Sequence, residues 1–268
     1  VLSVVIPTYN TAAMTLRCVR AVEADEIIVV DDGSTDGTAA LLAPAIRLPT
    51  NSGFAAAANR GVAAARGDII LLLNSDAVVQ PGALRALVAA FDDPRLGVGG
   101  AQLLNEDGTP QWSGGPTPTF PWLLAVVSGL GAVLGRRRGR PGGGAVDWVS
   151  GAAMAFRAEV WRQAGPLDER FRFYCQDLEL CLRARAAGWD VRVIAEARVV
   201  HARGATIAGG SALHHDPAKL WPDLLDWGRQ RHGWGALVKL ALLLAGSLRA
   251  LVTRDEAIRR GVAALRKS

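Results

Sequence analysis

The sequence predicts an α/β fold: a mostly parallel β-sheet flanked by helices, with a helical C-terminal tail. Three observations carry that prediction. Short apolar runs (Leu2–Ile6, Ile27–Val30, Ile69–Leu73) alternate with helical patterns through the first quarter of the chain, and such alternation builds a parallel sheet with helices on both faces. The runs are unbroken, as in strands buried on both faces. Each ends in small or polar residues, so their loops gather at one edge, and in open α/β sheets that carboxyl edge binds ligands. With 268 residues, 50% of them hydrophobic, the chain is ample for one such core.

Taken in order, Pro7-Thr8-Tyr9-Asn10 turns out of the first strand, and Thr11 is placed to cap a helix reaching about Ala24. The second strand ends in Asp31-Asp32-Gly33-Ser34-Thr35-Asp36-Gly37, and a helix follows from about Thr38. Asn51-Ser52-Gly53 opens an alanine-rich helix that Gly67 ends. The third strand runs into Asn74-Ser75-Asp76, a helix follows Pro81 to about Phe91, and Leu96–Leu104 is another strand. Asn105–Thr109 carries a hairpin signal, with Gln111-Trp112-Ser113 as its return. A Pro/Gly-rich segment, Gly114–Gly144, holds an apolar run (Trp122–Leu134) and a basic one (Arg136–Arg140). That pairing suits either an interfacial segment or a surface insertion. Val146–Ser150 is a strand leading to Gly151. Leu178, Leu182 and Ala186 share the face of a helix that Asp177 begins and Gly188 ends. The strands Val191–Ile194 and Ala197–Val200 precede His201.

The loops exclude two nucleotide sites. PTYN after the first strand lacks the glycines of a dinucleotide fingerprint, and no phosphate-cradling G-x-x-x-x-G-K-[ST] run occurs. Asp31-Asp32 cannot hold phosphate, but it can accept hydrogen bonds from a base N–H or from ribose hydroxyls. Asn74-x-Asp76 offers oxygen ligands to a hard divalent cation, Mg2+ or Mn2+, and a cation can hold a diphosphate. The other reading, that Asn74 and Asp76 only turn the chain and cap the helix after Pro81, stays open. Small residues around Gly151 let a substrate approach the backbone. Trp148 suits a sugar face or the core, and Asp177 suits a helix N-terminus or a site. His201, after an apolar strand, is a candidate second ligand to the Asp76 cation.

VVIPTYN, VVDDGSTDGT, NSGFAAAANRG and LLLNSDAVV, in this order, resemble the family 2 inverting glycosyltransferases of GT-A fold. The resemblance implies a nucleotide-diphosphate sugar as donor. The donor site would take in Pro7, Thr8, Tyr9, Asp31, Asp32, Gly53, Asn74, Ser75 and Asp76. Asn74 stands where the widest pattern has Asp, a form similar to the rhamnosyltransferase-type branch, which leaves Asp76 as the metal ligand. The segment Gln176-Asp177-Leu178-Glu179 resembles the family's E-D-x-D motif. Asp177 is then the general base, with Gln176 where Glu is usual and Glu179 where Asp is usual. Trp148, Gly151 and Gln176 would face the acceptor, a lipid-linked or polysaccharide hydroxyl in cell-envelope glycan synthesis. Family members often carry a His at the position of His201, in reach of the metal.

The net charge of +5 and pI near 9.6 suit anionic substrates or a membrane surface, and no basic-aromatic motif points to nucleic acid. Cys18, Cys175 and Cys181 have no zinc or disulfide spacing, so free thiols in a reducing compartment are expected. No signal peptide and no transmembrane helix are expected. From Gly228 on there are nine Lys/Arg against two acidic residues. Two readings fit this tail: a helical cap, or an amphipathic, basic pair of helices on an anionic leaflet. The expected organisation is a donor half (1–104), an acceptor and catalytic half (105–219) and the tail (220–268). The enzyme would be cytoplasmic, at the inner face of the plasma membrane, and a homo-oligomer is open. His214 and His215 are minor candidates for phosphate contact. Two competing classes are a sugar-nucleotide pyrophosphorylase, which needs a glycine-rich basic loop where PTYN stands, and a non-catalytic nucleotide- or glycan-binding module, for which only Asn74 and Gln176 speak.

Overall fold

The computed structural model describes residues 1–42, 46–130, 143–171, 173–202 and 216–268. The basic run Arg136–Arg140 and the pair His214 and His215 lie outside the described residues. The chain forms two units. Within the described residues, the first comprises the parts of 1–116, 143–171 and 176–202, and the second 117–130, 173–175 and 216–268.

The first unit is built on a nine-stranded sheet. In chain order it contains β1 (Leu2–Thr8), α1 (Ala12–Arg20), β2 (Glu26–Asp31), α2 (Thr38–Leu42), β3 (Ile46–Arg47), α3 (Phe54–Ala64), β4 (Ile69–Leu73), β5 (Ala77–Val79), α4 (Ala83–Ala90), β6 (Leu96–Leu104) and β7 (Gly114–Gly115). After α5 (Phe120–Ser128), which belongs to the second unit, come β8 (Gly144–Ala145), β9 (Trp148–Val149), β10 (Ala153–Arg157), α6 (Ala158–Ala164), α7 (Gln176–Ala186) and β11 (Asp190–His201). The strand order is β3-β2-β1-β4-β10-β6-β11-β5, with β8 on β11; β7 and β9 pair apart. The strands β1 to β4 are parallel, as their unbroken apolar runs require, and Val4, Val5, Leu71, Leu72 and Leu73 are fully buried. The second half is mixed. β10 runs antiparallel between β4 and β6, so its first residues lie at the carboxyl end of β4.

Several local expectations shift. β1 continues through Pro7 to Thr8; pairing with β4 stops at Val5, so the missing Pro7 N–H removes no bond from that ladder. α1 closes at Arg20, where the Ala21 N–H turns back to Cys18 O. Val146–Ser150 is not one strand, because only Trp148–Val149 pairs there, with β7. Gln111-Trp112-Ser113 is no return strand either. Pro110 makes one bridge to Leu104, and Gly114–Gly115 does the pairing. The two predicted strands before His201 are one, with an irregularity between Ile194 and Arg198 where the register on β6 shifts.

The second unit is helical: α5, α8 (Pro217–His232), α9 (Ala236–Thr253) and α10 (Glu256–Lys267). The tail therefore has three helices, not a pair. Arg254, in the left-handed region, ends α9, and Asp255 caps α10 through Ala257 N–H at 2.8 Å. Trp221 and Trp227 are buried. A Cβ on Gly261 would lie 2.7 Å from Pro217 and 2.9 Å from Trp221, so this glycine lets α10 pack closely on α8.

Candidate active site

β4 delivers Asn74-Ser75-Asp76 to the carboxyl edge. β5 then pairs antiparallel with the end of β11, in the register His201↔Ala77, which sets His201 beside Asp76. His201 Nε2 lies 3.3 Å from Asp76 Oδ1 and 3.3 Å from Asn74 Nδ2. The Ala77 N–H closes a turn on Asn74 O, but β5 intervenes before α4, whose first turn begins at Gly82 without a side-chain cap. The Asp76 carboxylate is therefore not spent on capping. Donors about 3 Å apart suit adjacent corners of an octahedral cation site with metal–ligand distances of about 2.1 Å. Asp76 and His201 thus fit a divalent cation. Among the described residues no third His, Cys, Asp or Glu joins them. A depression of about 330 Å³ lined by Asn105, Glu106, Asp107, His201 and Ala202 opens alongside.

Asp177 reaches the same edge through β10. Asn74 N–H donates to Ala152 O at 2.9 Å, and the neighbouring Gly151 N–H donates to Asp177 Oδ2 at 2.7 Å. Leu178 N–H donates to Asp177 Oδ1 at 2.8 Å. Two N–H donors leave lone pairs on each carboxylate oxygen. Burial raises the Asp177 pKa above the ordinary carboxylate value, against the lowering by those N–H groups. At Gly151 a Cβ would lie 3.3 Å from Asp177 Cβ, so the missing side chain lets the carboxylate approach the backbone. Gln176 is also turned inward. It is 2% exposed and donates to Phe171 O at 2.7 Å, bracing the turn before α7. Trp148 packs in the core at 9% exposure, edge-on to Trp112, its indole N–H donating to Pro116 O. The larger reading, a sugar platform, is not what its surroundings provide.

Most of the other predicted donor residues have partners within the fold. Asp32 takes Ser52 and Gly53 N–H on its two oxygens, at 2.8 and 2.9 Å, and burial raises its pKa. Gly53 has φ +93°, a conformation glycine adopts freely, and so presents its N–H to Asp32. Asp31 is buried; Oδ1 accepts Ser34 N–H, and Oδ2 faces Arg47 Nε at 3.4 Å. Thr8 points into a buried hydroxyl cluster with Thr11 and Thr15, which Thr11 extends to Ser75 at 3.0 Å. Pro7 is buried in β1, and Tyr9 is half-buried at its end.

Residues 3–161 match the family model described as Glycosyl transferase family 2. The chain belongs to glycosyl transferase family 2. This family 2 enzyme is 30% identical to the N-acetylglucosaminyl-diphospho-decaprenol L-rhamnosyltransferase of Mycobacterium tuberculosis (strain ATCC 25618 / H37Rv), over 90% of the chain and 91% of that protein. It is also 30% identical to the pre-mycofactocin glycosyltransferase of the same strain, over 74% of the chain and 42% of that protein. Among solved structures it resembles the mannosyltransferase PcManGT from Pyrobaculum calidifontis in complex with GDP-Man and Mn2+, with TM-score 0.59, 19% identity, and coverage of 98% of this chain and 73% of that one. It resembles S. aureus TarS 1-349 in complex with UDP, with TM-score 0.55, 16% identity, and coverage of 99% and 89%. At these identities the solved structures carry the fold alone, and the fold is of GT-A type.

Three residues of this glycosyltransferase's site escaped the sequence reading. Asn10, at φ 53°, accepts Thr35 N–H at 2.8 Å while its own N–H donates to Ser34 Oγ, tying the first two edge loops together. Asn59 donates to Leu167 O and accepts Leu167 N–H, pinning the segment before α7 onto α3. It was legible as one of two polar residues, with Arg60, in an alanine-rich helix. Gln111 had no such signal: it lies past a hairpin, yet its Nε2 donates to His201 O at 2.6 Å.

Proposed function

We propose that this glycosyltransferase is an inverting enzyme. It would move a sugar, rhamnose or another hexose, from a nucleotide-diphosphate donor to a hydroxyl of a lipid-linked or polysaccharide acceptor in cell-envelope glycan synthesis. The observation that carries the reading is the reversed strand β10, through which Gly151 ties Asp177 to the edge that also holds Asp76 and His201. The acceptor oxygen forms a bond to the anomeric carbon as the bond from that carbon to the diphosphate breaks. The acceptor proton goes to Asp177, whose raised pKa favours taking it. The electron pair leaves with the diphosphate. Asp76 and His201 would hold a divalent cation, Mg2+ or Mn2+, which when bound would supply charge neutralisation to the leaving diphosphate. The loops carrying Tyr9, Asp31, Asp32 and Gly53 frame the base and ribose. A decayed binding module would not need an acidic residue held at that edge with lone pairs spare.

The acceptor class is supported by the tail. Leu237, Leu240, Leu244, Leu248 and Leu251 recur every three or four positions on α9 and are between 52% and 82% exposed. Both cations of α9 turn away from this stripe. Lys239 Nζ donates to Arg266 O at 3.3 Å, and Arg249 Nη1 donates to Val126 O at 2.8 Å, in the last turn of α5. α9 is long and apolar enough by composition to cross a membrane, with mean hydropathy 1.8. That corrects the expectation that no helix would qualify. Its other face, however, packs Leu242, Gly246 and Ala250 within the unit. A helix with one packed face lies on a bilayer rather than through it. The other seven Lys/Arg from Gly228 on, against two acidic residues, favour an anionic surface.

Calorimetric titration with nucleotide-diphosphate sugars, in Mn2+ and in chelator, tests the donor half. Cation-dependent binding that Asp76→Ala abolishes with the fold intact is expected. Equal binding by wild type in chelator and by Asp76→Ala would overturn the cation reading.

A further inference from the structure

We infer that Gln111 is a positioning residue that holds His201 as the Nδ1–H tautomer and keeps the Nε2 lone pair turned toward Asp76. The Gln111 amide has its orientation set by two backbone carbonyls: its Nε2 donates to His201 O at 2.6 Å and to Leu104 O at 3.1 Å. Only a donor suits that side, so Oε1 is the atom that meets His201 Nδ1, at 3.2 Å. Oε1 is an acceptor, and Nδ1 must therefore carry the hydrogen. Asn74 Nδ2, 3.3 Å from Nε2, asks for the same tautomer, because a donor faces that nitrogen. Asp76 Oδ1, also at 3.3 Å, pulls the other way. The free imidazole side chain prefers its hydrogen on Nε2, so without Gln111 the ring would donate to Asp76 and present no lone pair. Gln111 is itself fixed. It is 6% exposed, its N–H donates to Leu103 O at 2.8 Å, and its carbonyl accepts Gln102 Nε2 at 3.3 Å. A group that sets a ring's tautomer from behind raises its worth as a ligand without touching the ion.

The consequence for cation binding rests on the proposed role of His201, whereas the tautomer does not. The experiment separates them. Long-range ¹H–¹⁵N spectra of histidine-labelled, metal-free full chain, taken at about pH 8.5 where imidazole is neutral, report the tautomer; His201→Ala identifies the signal. Wild type is expected as Nδ1–H, Gln111→Leu as Nε2–H, and Gln111→Met, close in shape to Gln but without its amide, also as Nε2–H. Mn2+ titration followed by electron paramagnetic resonance should then show affinity reduced about 10–100-fold in Gln111→Leu and in Gln111→Met. Wild-type His201 found as Nε2–H overturns the inference, as does a Gln111→Leu spectrum unchanged from wild type. Should Gln111→Leu fail to fold, the wild-type tautomer and Gln111→Met decide. Nδ1–H in a wild-type chain that binds no Mn2+ upholds the positioning role and removes the cation reading instead.

Discussion

At the carboxyl edge of the sheet, polar side chains are buried. Thr8, Asp31, Asp32, Ser75, Asp76, Gln111 and Gln176 are each no more than 8% exposed. On the outer side of α9, apolar side chains are exposed, Leu237 at 82% and Leu251 at 76%. The two regions break the usual partition in opposite senses and for different reasons. Buried polar groups cost free energy unless hydrogen-bonded, and the edge meets this for most of them by bonding them to one another and to backbone; Asp31 Oδ2 has instead Arg47 Nε at 3.4 Å, and the Asp76 carboxylate has His201 Nε2 at 3.3 Å. The result is a constellation that cannot rearrange cheaply, which suits groups that must hold position during a reaction. α9 has nothing comparable within its unit. Its exposed leucines hold back a burial free energy of roughly 1.5–3 kcal/mol each for a partner. The edge is organised internally, whereas on the reading proposed above the stripe is completed from outside.

The largest expected effect tests the edge. Asp177→Asn removes proton acceptance with little change of shape. Turnover should fall on the order of 10²–10⁴ while donor affinity stays within a few-fold. Glu179 lies two residues on, about 200° around the helix, and Glu179→Gln should cost far less. The reverse ranking in steady-state kinetics would mean the base was misassigned.

The next tests the stripe. Leu244→Glu combined with Leu248→Glu should weaken co-sedimentation with anionic vesicles more than 100-fold, since each change forfeits at least about 1.4 kcal/mol, a factor of ten. Thermal stability should hardly move, because both side chains are exposed. Wild-type chain that ignores vesicles yet self-associates through α9 in sedimentation velocity would assign the face to a second copy.

A smaller effect concerns pH. A base works ionised, and burial holds Asp177 above its ordinary 3.8. Turnover should therefore fall on acidification at a pH above that value, as protonation of Asp177 sets in early. An acid limb at or below 3.8 in the kcat profile would show that the enclosure of Asp177 does not govern its chemistry.

The smallest separates packing from docking. Arg249→Met leaves the carbonyls of Val126 and Val127 without their cation, so chemical denaturation should register a loss of about 1–2 kcal/mol. Vesicle binding by the folded fraction should stay within a few-fold. A large loss of vesicle binding instead would place Arg249 in lipid contact and spoil the division between the two faces of α9.

Much of this was legible in the amino-acid order, because it is local. Unbroken apolar runs specify buried parallel strands, and the polar ends of those runs place Asp31, Asp32 and Asp76 at one edge wherever the helices go. Asp177 at a helix start, and a basic apolar tail, are equally local facts. The tertiary structure decided what these residues touch. Whether β10 runs up or down between β4 and β6 depends on pairings between residues about 85 positions apart on the β4 side and about 55 on the β6 side, and no periodicity within β10 encodes it. Yet that direction brings Gly151, and with it Asp177, to the end of β4. The same holds for the register His201↔Ala77, for the amide of Gln111 behind the imidazole, and for Lys239 and Arg249, which interrupt an apolar run in sequence but fold back onto neighbouring helix ends. Residue type and spacing determine which groups are available; long-range pairing and close packing determine which of them face each other.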